Sequence, residues 1–301
     1  MTRPQWFLDA IHKPYKVKHV VVDGCVIEYY QWNNNQSNNK DKPLLLFVHG
    51  NGGHANWWDF IAPSFTDDFC VCAIHLAGMG NSGYRREYSF DSFARELIAV
   101  ADDAGYKNDI TIVGHSMGGV VTLRAAENYP DKVNAIVVID TPLIFRASEA
   151  ASEQHKPPAP VRHDFHRKYY PDAETAFQRF RLIPLQECKN PYLVDHVGSH
   201  SIKQFPEGWS WKFDDGIYNH FQSGGRPPVY IDKVLCPMAY LYGDDSALVP
   251  QAVVPDMLEL LKHKGPVYEI KNAHHHVMLD EPVQLIAQLK EILKTLPPVT
   301  A

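Results

Sequence analysis

Five short stretches of the 301-residue chain hold side chains able to act on one another: HGNGG (49–53), GHSMGG (114–119), VVIDTP (137–142), YGDDSALVP (242–250) and AHHHVMLDEP (273–282). A serine, a choice of histidines and a choice of aspartates suggest acyl transfer. A serine hydroxyl is a poor nucleophile without a base, the base needs an orienting acid, and the oxyanion needs donors. Gly114-His115-Ser116-Met117-Gly118 fits G-x-S-x-G, a turn that holds its serine in a strained conformation and needs tiny residues two before and two after it. By itself the pattern is weak, and an idle serine in a tight turn would also satisfy it. Its setting between a buried strand and a helix favours a nucleophile. The glycine-rich turn at 49–53 follows another strand, so the backbone N–H of Asn51 and that of Met117 are candidate oxyanion donors.

The histidines are ambiguous at this level. Neighbouring side chains of an extended loop point in opposite directions, so only one of His274, His275 and His276 can face Ser116 well. The same divergence argues against a metal on the run itself, and no HExxH pattern accompanies it. The pairs His163/His166 and His196/His200 have helix-compatible spacing and read as polar helix or pocket lining rather than zinc ligands. No cofactor and no metal is expected. The acid is open among Asp140, Asp244 and Asp245.

The elements that must position these groups follow from hydrophobic patterning. KVKHVVVDGCVIEYYQW (16–32) is a hairpin turning at Asp23-Gly24, and NNNQSNNKDKP (33–43) is a polar loop of low complexity. Strands are expected at 44–50, 70–78, 109–115, 133–140, 234–243 and 266–270. Helices are expected at 89–105, 116–130, 251–263 and from Pro282 to about Leu296. Apolar strands without polar alternation, separated by helices, predict an α/β fold with a mostly parallel sheet covered on both faces. The rhythm breaks over 143–227, which is rich in proline and aromatics with no strand run. The expected organisation is a core of 1–142 and 228–301 interrupted by a mostly helical insertion at 143–227.

Composition bounds the rest. With 45% hydrophobic and 21% charged residues the chain is of ordinary soluble type. A net charge of -6 without basic clusters argues against nucleic acid as a partner. No signal peptide is visible at the start, and no stretch reaches the roughly 18 apolar residues of a membrane span. Five scattered cysteines, without CxxC spacing, fit reduced thiols and a cytoplasmic protein. Oligomeric state is open, and a homodimer is compatible with the sequence.

Taken in order, HGNGGHANWWDFIAP, AIHLAGMGNSG, GHSMGG and HHVMLDEP resemble the oxyanion loop with first helix, a strand with its G-x-G-x-S turn, the nucleophile elbow and the histidine loop of the α/β-hydrolase fold family. The resemblance covers nearly the whole chain and belongs to the serine-nucleophile, esterase-like branch. It implies that the insertion after the sixth strand is a helical cap. It also places the base seven residues before the proline that opens the last helix, at His275. His75 stands where relatives usually have Asp and reads as structural. Most members hold the acid after the seventh strand, four residues before a proline; here that position is Ser246, which cannot hold an imidazolium by charge. Asp244 and Asp245 come too early and read as turn residues. Asp140 ends the sixth strand, one strand–helix–strand crossover after Ser116, and strands so connected usually lie side by side. At about 4.8 Å between strands its side chain can reach the far nitrogen of a histidine bound to Ser116, and some relatives of the fold keep their acid there.

The expectation is a serine esterase in which Ser116 attacks, His275 transfers the proton and Asp140 orients it. The substrate is a small ester, thioester or lactone under an aromatic cap, in which Trp209 and Trp211 set substrate size. Other chemistries on the scaffold are C–C bond hydrolysis and a cofactor-free lyase or oxygenase. Relatives with an aspartate nucleophile are disfavoured by Ser116, and a closed cap disfavours lipase action at an interface. A ligand-binding protein that keeps the pocket without using the serine is the alternative from a different class.

Overall fold

The computed structural model describes residues 3–33, 42–143, 167–222 and 231–296. The polar loop after position 33, the pair His163/His166 and both ends of the 143–227 insertion lie largely or wholly outside the described residues.

An eight-stranded sheet has the order β1-β2-β4-β3-β5-β6-β9-β10. Its strands are β1 Lys16–Val22, β2 Cys25–Trp32, β3 Leu44–Val48, β4 Cys70–Ile74, β5 Ile110–His115, β6 Val133–Ile139, β9 Met238–Gly243 and β10 Val267–Ile270. β1 and β2 form the expected hairpin and join antiparallel to β4; every other pairing in the sheet is parallel. Asp23 and Gly24 both have positive φ (49° and 77°), as a tight two-residue hairpin requires. The central strands β3, β4 and β5 are buried throughout, which is why they read as unbroken apolar runs.

Helices cover both faces. α2 Phe90–Asp103 and α3 Met117–Asn128 pack on one side, with Phe93, Leu97 and Val121 buried. On the other lie α1 Gln5–Ile11 and α8 Pro282–Thr295, contributing Phe7, Leu285 and Leu289. α2 starts at Ser89, whose side chain accepts from the Ser92 amide while Ser92 Oγ takes the Ser89 amide, a reciprocal cap. α1 was not anticipated from the sequence, although Phe7 is fully buried.

The chain runs from β3 to β4 on one side and then crosses to β5 on the other. The sheet therefore reverses its winding between β3 and β5, and α/β sheets open a crevice at such a point beyond the strand carboxyl ends. The turn after β3 holds HGNGG and the turn after β5 holds Ser116.

Between β6 and β9 the described residues contain α4 Ala173–Phe177, α5 Pro191–His200 and an antiparallel hairpin of β7 Ile202–Phe205 with β8 Gly208–Trp211. The hairpin departs from the expectation that this segment has no strands. Each strand has four residues, too short for period-2 alternation to stand out, and Pro206-Glu207 form the turn before Gly208 at φ 138°. The other α-helices among the described residues are α6 Val254–Leu261 and α7 Val277–Asp280. Among the described residues no helix is long and apolar enough to cross a membrane.

Candidate active site

Ser116 sits at the sharp junction of β5 and α3 with φ 55° and ψ -122°, a region non-glycine residues rarely occupy. Its surroundings hold it there. The Ser116 amide donates to the Ile139 carbonyl at 2.9 Å, and its carbonyl accepts from Thr141 Oγ1 at 2.9 Å and from the Gly119 amide at 2.9 Å. The glycines of the motif are sterically required. A Cβ at Gly114 would stand 2.3 Å from Thr122 Oγ1, and one at Gly118 only 2.4 Å from the His49 carbonyl. The HGNGG turn meets the elbow closely, since a Cβ at Gly50 would stand 3.2 Å from Ser116 Cβ.

His275 enters from the loop between β10 and α7. Its Nε2 lies 3.0 Å from Ser116 Oγ, and its Nδ1 lies 2.6 Å from Asp140 Oδ2. Asp140 follows β6 directly. Because His115 pairs with Ile139 in the register of β5 and β6, Asp140 stands beside Ser116 across the strand gap. The carboxylate is fully buried yet well supplied with donors: Gly243 N–H to Oδ1 at 2.9 Å, Ser246 Oγ to Oδ2 at 2.6 Å and His275 Nδ1–H. A buried charge needs such donors to offset its desolvation.

Ser246, at the position where the resemblance led to an acid being expected, donates to Asp140 at the end of the neighbouring strand. Asp244 accepts from the Ala273 amide at 3.2 Å and so ties the turn after β9 to the histidine loop, while Asp245 is exposed. Neither aspartate carboxylate has a hydrogen bond to His275. Of the other histidines, His274 Nδ1 faces Asp280 at 3.3 Å, and His276 lines the cleft.

The amides of Asn51 and Met117 donate to no backbone or side-chain acceptor among the described residues, and Asn51 lines the same cleft as Ser116. The cleft has a volume of about 250 Å³ and is bounded by Gly50, Asn51, Gly53, Trp57, His115, Ser116, Ile183, Pro184, Leu248, His275 and His276. Sequence reasoning missed Trp57, Ile183, Pro184 and Leu248, and it assigned no part to His115 or Ser246. Trp209 borders a separate surface depression with Arg3 and Phe177, and Trp211 packs against Tyr170 and Phe180; neither lines the Ser116 cleft. His196 pairs with Asp59 at 2.8 Å, as a polar packing residue would.

The segment carrying Ile183 is fixed to the histidine loop. Gln186 accepts from the His276 amide at 3.0 Å and donates to Asp280 at 2.9 Å; Asn190 donates to the carbonyls of Leu279 and Asp280. His75 accepts from the Ala55 and Asn81 amides at 3.3 and 3.4 Å. It thus supplies the acceptor that pins the segment after HGNGG to the AGMGNS turn.

Burial depresses several histidines: His49 to about 4, His276 to about 3, and His54, His75 and His115 well below the usual imidazole value. In each the folded value is the lower, so the unfolded chain takes up protons first as pH falls. Stability is therefore kept above about pH 6.5 and lost as pH drops from there toward 4. Burial also raises Glu96, to about 7, and Asp215 and Asp280, which work in the opposite sense; they are three groups against six once His200, likewise depressed by burial, is counted. The thermal midpoint at pH 5 is expected to lie on the order of 10 °C below that at pH 7.5. Calorimetry across that range checks it, and an unchanged midpoint would mean that these rings protonate in the fold.

Residues 43–182 match the family model for the alpha/beta hydrolase fold. Among curated proteins the chain is 25% identical over 276 residues to epoxide hydrolase 1 of Caenorhabditis elegans, a match covering 86% of this chain and 66% of that protein. It is 23% identical over 263 residues to an esterase of Mycobacterium tuberculosis, covering 84% of this chain and 83% of the relative. Among solved structures, E-2-(acetamidomethylene)succinate hydrolase superposes with a TM-score of 0.75 at 20% identity, over 94% of this chain and all of that one. The sheet order, the strained turn after β5 and these matches agree: the chain has the α/β-hydrolase fold.

Proposed function

We propose that the protein is a serine hydrolase that cleaves a small carboxylic ester, thioester or lactone through an acyl-enzyme. The observation carrying this reading is the continuous line Ser116 Oγ, His275 Nε2, His275 Nδ1, Asp140 Oδ2, with steps of 3.0 and 2.6 Å at a strained turn that opens on the cleft. In this reading Ser116 attacks the carbonyl while His275 Nε2 takes its proton. Asp140 holds the Nδ1–H tautomer and stabilises the imidazolium. The oxyanion is received by the amides of Asn51 and Met117, the latter at the amino end of α3. His275 then protonates the leaving alcohol or thiol, and water, activated by the same ring, releases the acid.

Both esterases and epoxide hydrolases occur among the relatives. The nucleophile separates them. A serine that opened an epoxide would remain as an ether, which the base could not hydrolyse, whereas an acyl-serine is an ordinary ester. The residues at 143–227 act as a cap in this reading, contributing Ile183 and Pro184 to the mouth of the cleft.

The cleft is smaller than the roughly 300–1,000 Å³ of pockets for drug-sized ligands, which favours a short acyl group. With p-nitrophenyl esters from acetate to decanoate, kcat/KM is expected to peak at short chains; failure to turn over any of them would remove the ester reading. Ile183→Ala is expected to change the octanoate-to-acetate ratio roughly tenfold, the scale of a methylene or two in an apolar site. Trp209→Ala, away from the cleft, should keep the parent's ratio; the opposite ranking would move the acyl subsite to the β7–β8 hairpin.

A further inference from the structure

Among the described residues three imidazoles border the cleft, and the hydrolytic reading uses only one. His115, His275 and His276 are all buried, and one ring nitrogen of each lies within 4.8 Å of the other two. Hydrogen bonds fix two of the tautomers. His115 Nε2 donates to the His275 carbonyl at 2.8 Å, which leaves a lone pair on Nδ1. His275 gives its Nδ1–H to Asp140, which leaves a lone pair on Nε2. A ring whose far nitrogen donates to a carbonyl or carboxylate is the arrangement that orients histidine ligands on transition metals. His276 is 4% exposed, and neither of its nitrogens has a hydrogen-bond partner among the described residues. Such an orphaned buried ring carries a free-energy cost that a ligand would recover.

We propose that His115, His275 and His276 form a site for a divalent transition-metal ion of the zinc or copper class, and that its occupation switches hydrolysis off. A set of imidazoles with no free carboxylate suits zinc, copper or nickel and not magnesium or calcium. Zn–N bonds of about 2.1 Å place ligand nitrogens roughly 3.4 Å apart, so nitrogens now within 4.8 Å of one another close in by up to about 1.4 Å. His276 moves without breaking a hydrogen bond of its side chain. The run of three histidines does not make the site: His274 turns to Asp280, and the third ligand comes from the residue before Ser116. A metal on His275 Nε2 occupies the lone pair that would receive the Ser116 proton, so the ion acts as an inhibitor. Binding rests on the geometry; inhibition rests on His275 being the base.

Tag-free full-length protein, stripped with EDTA and dialysed, tests both parts. With Cu2+ we expect one ion per chain and a paramagnetic resonance spectrum with coupling to imidazole nitrogens. With Zn2+ we expect loss of ester hydrolysis and slower labelling by a fluorophosphonate, both reversed by EDTA. His276→Gln should weaken affinity for both ions at least tenfold, since even outer-sphere changes cost that much, and His274→Gln should keep the parent's affinity. No stoichiometric Cu2+, no nitrogen coupling, or equal metal sensitivity of H276Q and the parent would overturn the site. Cu2+ bound through nitrogen while labelling proceeds unchanged would overturn the inhibition, and with it His275 as base. If H276Q does not fold, the stoichiometry and spectrum of the unmodified protein decide.

Discussion

Replacing Ser116 by alanine is expected to lower kcat for ester hydrolysis by a factor on the order of 10⁶, the cost of removing a nucleophile outright. The thermal midpoint should stay within a few degrees of the parent's. The turn is held by backbone groups and by Thr141, none of which touches Oγ, and alanine at φ 55° is strained about as serine is. Oγ loses only its bond to His275, at a position open to the cleft. Retention of more than a few per cent of the activity would show that another group attacks.

The second large effect is expected at Asp140. Asp140→Asn preserves shape but can present an N–H to His275, which disfavours the tautomer that accepts the serine proton. A drop in kcat on the order of 10⁴ follows, as loss of the orienting acid gives elsewhere. Asp244→Asn and Asp245→Asn should each stay within about tenfold, or roughly 1.4 kcal/mol, because one supports the Ala273 amide and the other faces solvent. Ser246→Ala removes one of three donors to the Asp140 carboxylate and should fall between these, at roughly ten- to a hundredfold for a charge-assisted bond of about 1.5–3 kcal/mol. Parallel steady-state kinetics on the four variants decide. If Asp244→Asn or Asp245→Asn were the crippled one, the acid would return to the turn after β9.

The parts of the site that could be read in the sequence are those with local demands. Gly114 and Gly118 are needed because a Cβ at either would collide with backbone or Thr122, and that requirement is printed in five consecutive residues. The parallel sheet was legible for the same reason, since strands buried on both faces cannot alternate. Asp140 required topology as well: its place beside Ser116 follows from the β5–β6 crossover, and the serine at 246 removed the commoner choice. What could not be read depends on distant contacts. His115 meets His275 across 160 positions, and nothing in the motif constrains that residue. Ile183 reaches the cleft because Gln186 and Asn190 anchor its segment to the histidine loop, a fit of side chains without sequence signature. The aromatic richness around Trp209 and Trp211 pointed to a lining and belongs instead to a hairpin that packs elsewhere.

The central claim is that Ser116 becomes covalently acylated with His275 as its base. Intact-mass and peptide mass spectrometry after treatment with a fluorophosphonate, and after rapid quenching with a p-nitrophenyl ester, address it directly. The expected result is a single adduct on the peptide carrying Ser116 in both cases, with labelling slowed by orders of magnitude in His275→Ala. Ester turnover without an acyl adduct, an adduct on another residue, or a His275→Ala variant that labels at the parent's rate would contradict it.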